Sequence, residues 1–121
     1  ICYDIRFPEI YRAYRKAGAD LLVNMAAWPK SRKTHWDTLT RARAIENQTF
    51  MVALTQTGLL ADGVENLGHS LIYDFEGKIL DEIEEIEGGI YAEIDLKAMY
   101  DFRANCPSIN DIKDSYEVIK K

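Results

Sequence analysis

The stretch ICYDIRFPE, residues 1–9, places a thiol at Cys2 just ahead of apolar residues that recur at helical spacing. A cysteine at a helix entrance feels the partial positive charge of the helix's unsatisfied N–H groups, which favours thiolate over thiol. The same amides can hold an oxyanion, so the position suits attack on a carbonyl carbon. The competing reading is a small buried hydrophobe at a strand end. An exposed nucleophile of this kind sits on a sharp strand-to-helix turn, so a strand is expected to feed Cys2. Asp4, Arg6 and Glu9 follow at spacings that allow local ion pairs, either bracing that turn or forming a solvated helix start.

Other arrangements of chemical groups are poorly supported. His35 and His69 invite a Cys–His dyad, but His35 precedes a helical pattern and His69 opens a strand pattern, and nothing in the spacing brings either to a thiol. An N-terminal-nucleophile hydrolase needs a free cysteine α-amine, which Ile1 blocks. Two thiols and two histidines without CxxC or HxxxH spacing make a poor zinc set, and no metal is expected. Cys2 and Cys106 lie far apart with no secretory pattern ahead of them, so free thiols and a reducing cytoplasm are expected.

The elements that must position Cys2 are legible. Phe7, Ile10, Tyr11, Tyr14 and Ala17 predict an amphipathic helix over 7–17, with Pro8 in its first turn and Gly18 as its stop. LLVNM at 21–25 and FMVAL at 50–54 read as strands buried on both faces. Between them a helix is expected from a Thr34 N-cap, boxed with Asp37, to about Gln48, with Trp36, Leu39, Ala42 and Ile45 on its inner face. HSLIYD, ILDEIEEI and IYAEID, separated by FEGK and Gly88-Gly89, predict an antiparallel meander, and a short helix is expected over 96–103. The order predicts a layered α/β fold with a mixed sheet.

At 121 residues the chain fits one domain. The 47% apolar and 29% charged composition is that of a soluble protein, with no run long enough for a membrane helix. A net charge of −5, with the acidic run DEIEEIE at 81–87, argues against a nucleic-acid partner.

Five stretches then fall in one order: ICYDIRFPE, NMAAWP at 24–29, HWDTLTRARAIENQ at 35–48, GHSLIYDFEGKIL at 68–80 and YAEIDL at 91–96. Together they resemble the carbon-nitrogen hydrolase (nitrilase) superfamily, most of all its omega-amidase branch. The resemblance implies an αββα sandwich in which a Glu, a Lys and a Cys act on a carbon-nitrogen bond without cofactor or metal. It implies Cys2 as nucleophile and the backbone N–H of Tyr3 as oxyanion donor. It further implies Asn24, Ala26, Ala27 and Trp28 as acyl-pocket wall, and Arg43 and Glu46 as a buried structural network, where spacing alone suggests a surface i,i+3 pair.

The Glu, the Lys and the strand into Cys2 would lie upstream. Residues 1–121 are thus expected to be the C-terminal portion of a single hydrolase domain, inactive alone. The implied enzyme is a homodimer acting on a small linear monoamide, such as the omega-amide of a dicarboxylic acid. A nitrile-hydrolysing relative and a non-enzymatic interaction module remain as alternatives. LTQTG at 54–58 lacks the Asn or Arg expected after that strand, and the tail with Cys106 matches only loosely.

Overall fold

The computed structural model describes residues 1–120. A 3-10 turn, Cys2–Arg6, leads into helix α1, Pro8–Lys16. Strand β1, Leu21–Ala26, follows, then helix α2, Lys33–Asn47, and strand β2, Phe50–Thr55. Strands β3, His69–Tyr73, and β4, Ile79–Glu84, form a hairpin before helix α3, Leu96–Asn105. The sheet runs β1-β2-β3-β4, with β1 parallel to β2 and the remaining pairs antiparallel. The chain is therefore α/β with a mixed four-stranded sheet, as the grammar of its segments predicts.

The main core lies between one sheet face and helices α1 and α2. Leu22 of β1, Met51 and Ala53 of β2, and Leu71 and Tyr73 of β3 meet Tyr11, Trp36 and Ala44 there. The opposite face is different. Leu21, Val23 and Met25 are 42%, 52% and 52% exposed, so β1 is buried on one face and not on both as its composition suggests. Among the described residues no second layer covers it.

Four other expectations are corrected. The helix begins at Lys33 after a short 3-10 turn, so Thr34 lies inside its first turn and caps nothing. Its buried face is Trp36, Thr40, Arg43, Ala44 and Asn47, while Ile45 is half exposed. An apolar count misplaces that face because three of its five members are polar. Thr40 donates to the Trp36 carbonyl, and Asn47 to that of Arg43. IYAEID is no strand; Tyr91 is exposed and hangs on one bond from its N–H to Asp81 Oδ2. Its alternation has no sheet edge to pair with among the described residues. In α1 only Tyr11 is buried, and Phe7, Ile10 and Tyr14 face outward.

Helix α3 is tied to the base of β1 and the end of α2. Arg103 bonds Asp20 at 2.6 Å and the Gln48 carbonyl at 2.8 Å, Tyr100 donates to Asp20, and Phe102 continues an aromatic row through Phe75 to Phe50. Burial pushes the Asp20 carboxyl up, but the bonds from Tyr100 and Arg103 outweigh it and hold the group below its usual range. A depressed carboxylate pKa stabilises the fold above the unfolded value and loses that contribution as pH falls through the folded one. Hydrogen exchange in α3 should therefore accelerate below about pH 4, and Asp20→Asn should remove that pH dependence while loosening α3 at neutral pH.

Candidate active site

Cys2 sits in the left-handed region, with φ +49°. A non-glycine residue held there costs about 1–3 kcal/mol and persists only where its surroundings fix it. The surroundings do so. The Cys2 N–H donates to Asn24 Oδ1 at 2.9 Å, and the Asn24 amide donates in turn to the Tyr11 hydroxyl. Asn24 is fully buried at the centre of β1, and burial pushes the Tyr11 phenol up against the opposing effect of the Asn24 bond.

From the other side Arg43 grips the turn. Its Nε and Nη2 donate to the Ile5 carbonyl at 3.1 and 2.6 Å, Nη1 pairs with Glu46 at 2.8 Å, and its guanidinium lies 5.6 Å from the centre of the Tyr11 ring. Arg12 and Arg15 of α1 reach the carbonyls of Glu46 and Asn47 at the end of α2. One helix-to-helix network thus holds the backbone that carries the thiol. Asn24→Leu keeps the volume but strands the Cys2 N–H. It should lower stability by about 1–3 kcal/mol, read as a shifted urea midpoint, and slow any reaction of Cys2 besides.

The thiol faces a cleft of about 520 Å³ at the carboxyl ends of β1 and β2, lined by Met25, Ala26, Ala27, Leu54, Thr55 and Gln56. Cys2 Sγ lies 3.9 Å from the Ala27 carbonyl, and that oxygen is its hydrogen-bond partner among the described residues. In the same first turn the Cys2 N–H is given to Asn24 and the Asp4 N–H to the Ile1 carbonyl, with the Tyr3 N–H between them. The Tyr3 side chain stands out of the turn, edge-on to Phe7 at 5.4 Å.

The residues expected around this thiol are brought together unequally. Ala26 and Ala27 line the cleft. Asn24 lies beneath it, its side-chain oxygen and nitrogen both engaged, and Trp28 is 3% exposed, packed on Trp36 with Arg6 stacked 5.0 Å over its ring. These two sit behind the wall and not in it. Glu9 is exposed and has no ion pair among the described residues. Tyr11 and Met25 are members that sequence reasoning did not single out for the site, and Leu54 and Gln56 belong to the LTQTG stretch noted there only for lacking an Asn or Arg. The signal for Gln56 was its place directly after a strand that ends beside the thiol.

The histidines lie elsewhere. His35 is no part of the cleft. His69 is buried, with Nδ1 2.7 Å from Asp37 and 2.7 Å from Lys33, and Nε2 2.9 Å from Glu82. Partial burial pulls the Lys33 ammonium down, but hydrogen bonds to Glu84 and Asp37 outweigh it and leave it above its usual range. This network pins the β3–β4 hairpin to the start of α2. Cys106 is exposed, its carbonyl receiving a bond from Gln48. Among the described residues no three His, Cys, Asp or Glu side chains form a metal-binding group, and no helix is long and apolar enough to cross a membrane.

This architecture has counterparts of known structure and activity. The chain is 48% identical over 96% of its length to the 2-oxoglutaramate amidase of Bacillus subtilis (strain 168), covering 45% of that protein. It superposes on the NitFhit protein of C. elegans with a TM-score of 0.85 at 39% identity, over 93% of this chain and 27% of that one. An amidase from Nesterenkonia sp. AN1, solved as a mutant with acrylamide added at the active site cysteine, matches with a TM-score of 0.70 at 26% identity, over 92% of this chain and 43% of that one. The chain spans less than half the length of the two 2-oxoglutaramate amidases it matches. The pattern that defines the carbon-nitrogen hydrolases matches residues 1–104, and the chain belongs to that family.

Proposed function

We propose that residues 1–121 form the C-terminal portion of an amidase that hydrolyses small linear monoamides through a thioester on Cys2. The observation that carries this reading is the Cys2 turn: a thiol at positive φ, its backbone N–H held by the buried Asn24, facing an open cleft. In this reading Cys2 Sγ attacks the amide carbonyl carbon, and its proton passes to a Glu supplied upstream. The negative charge on the carbonyl oxygen is held by the Tyr3 N–H and an upstream Lys. The C–N bond breaks, the Glu returns the proton to the departing nitrogen, and ammonia leaves. Water, deprotonated by the same Glu, then attacks the thioester carbon and regenerates the thiol with release of the acid. No step calls for a cofactor.

Similarity to a 2-oxoglutaramate amidase makes the omega-amides of dicarboxylic acids reference substrates to test. The exposed apolar residues Phe7, Ile10 and Tyr14 on α1 support a homodimer formed through helices, and the free thiols support a reducing, cytoplasmic setting. The test is ammonia release by the full-length enzyme from paired amides and nitriles of equal chain length. Amide hydrolysis at least about 100-fold faster than nitrile hydrolysis is expected, a gap of about 2.7 kcal/mol in barrier; nitrile preference would overturn the amide assignment.

The 1–121 chain by itself should give no detectable Cys2-dependent turnover, because base and charge clamp are lacking, and should self-associate through Leu21, Val23 and Met25. A sharp monomer in gel filtration with measurable ammonia release would refute both expectations.

A further inference from the structure

Helix α1 buries a single side chain, Tyr11, which is 3% exposed. Packing alone would be served by phenylalanine, and a hydroxyl taken out of water costs free energy unless it is bonded. Here it accepts a hydrogen bond from the Asn24 amide nitrogen. Asn24 is itself fully buried, and its two polar atoms serve different partners: the nitrogen donates to Tyr11, and the oxygen accepts from the Cys2 N–H. Of the two ways the amide can be turned, one meets the Cys2 N–H with an acceptor, and the other would set donor against donor. In the first, the amide nitrogen needs an acceptor of its own in a buried site, and the Tyr11 oxygen supplies it.

The ring of the same residue reaches the second clamp. The Arg43 guanidinium that donates twice to the Ile5 carbonyl lies 5.6 Å from the centre of the Tyr11 ring. Tyr11 thus touches both groups that fix the turn, one acting at the Cys2 N–H and the other at the Ile5 carbonyl. Its own side chain is no part of the cleft that the thiol faces. We propose that Tyr11 is a positioning residue for the reaction at Cys2: its hydroxyl holds the Asn24 amide, and the amide holds the left-handed backbone that aims the thiol into the cleft. A non-glycine residue at φ +49° keeps that conformation only while its surroundings fix it. Every group of this relay lies within residues 2–43, so it needs neither the upstream Glu nor the upstream Lys. The catalytic consequence rests on the amidase reading.

The test uses the full-length enzyme and Tyr11→Phe, which keeps the ring and removes the oxygen. Tyr73→Phe is the comparison: Tyr73 is also buried, and its hydroxyl accepts from Thr40 and donates to the Asp37 carbonyl, sharing no bond with the Cys2 turn among the described residues. Hydrogen exchange of the Cys2 N–H, read by NMR, should accelerate about fivefold in Tyr11→Phe and stay unchanged in Tyr73→Phe. With succinamate, the omega-amide of a dicarboxylic acid, Tyr11→Phe should lower kcat about tenfold or more while KM stays within about twofold. Tyr73→Phe should leave both constants within about twofold. Asn24→Leu already breaks the relay, so adding Tyr11→Phe to it should lower kcat by less than about twofold further. An unchanged exchange rate at Cys2, equal effects of the two tyrosine variants, or a full further loss in the Asn24→Leu background would overturn the proposal. Undiminished hydrolysis by Tyr11→Phe would overturn it while leaving the amidase reading standing. Faster exchange at Cys2 in a protein whose unaltered form does not hydrolyse the amide would remove the amidase reading and leave the Tyr11–Asn24–Cys2 relay.

Discussion

Cys2→Ala in the full-length enzyme should lower kcat for amide hydrolysis by about four orders of magnitude or more, with little change in thermal stability. The size follows from the role. Removing a nucleophile removes the covalent route, and what remains is the small rate that binding and oxyanion stabilisation support. Stability should hold because the groups that fix the turn are bonded to its backbone, which alanine retains: the N–H at position 2 still donates to Asn24, and Arg43 still grips the Ile5 carbonyl. Cys2→Ser should be nearly as inactive, since a hydroxyl is a far weaker nucleophile at neutral pH. A kcat within tenfold of the unaltered enzyme would show that the thiol is a bystander.

Arg43→Met should have the largest effect on the fold. Arg43 is 4% exposed and joins three elements through bonds to Ile5, to Glu46 and over the Tyr11 ring. Methionine matches much of its volume but leaves the Ile5 carbonyl and the Glu46 carboxylate without their partner in a part-buried site. Removing one member of such a pair costs about 3 kcal/mol or more, read as a lower urea midpoint at unchanged slope. Lysine should rescue poorly, because it lacks the fork that meets one carbonyl twice and one carboxylate once. Arg41→Met is the control: Arg41 is exposed and lies 5.6 Å over the Tyr73 ring, so its loss should cost under about 1 kcal/mol. Equal costs for the two variants would refute the assignment of Arg43 as the clamp of the Cys2 turn.

Much of this arrangement is legible in the residues themselves. The apolar runs that become β1 and β2 announce strands, and Gly18 and Gly77 mark where elements stop and turn. Cys2 ahead of Pro8 announces a thiol at a helix entrance. What composition cannot show is the second use of polar residues. Asn24 interrupts an apolar strand and reads as a site residue, yet it serves the backbone of a residue 22 positions earlier. Arg43 and Glu46 read as an exposed pair because spacing carries no information about a carbonyl 38 positions away. The helical face of α2 misleads for the same reason: Thr40 and Asn47 are buried with side-chain donors that reach carbonyls one turn back. IYAEID alternates like a strand, but alternation makes a strand only where an edge accepts it.

The most direct test of the account is to mix the full-length enzyme with a monoamide, quench in acid within the first turnover, and map the acyl group by mass spectrometry of the peptide that contains Cys2. The account predicts the mass of the amide's acyl group on Cys2, lost on treatment with hydroxylamine and absent from Cys2→Ala. An enzyme that hydrolyses the amide while this peptide stays unmodified, or that carries the acyl group on another residue, would contradict it.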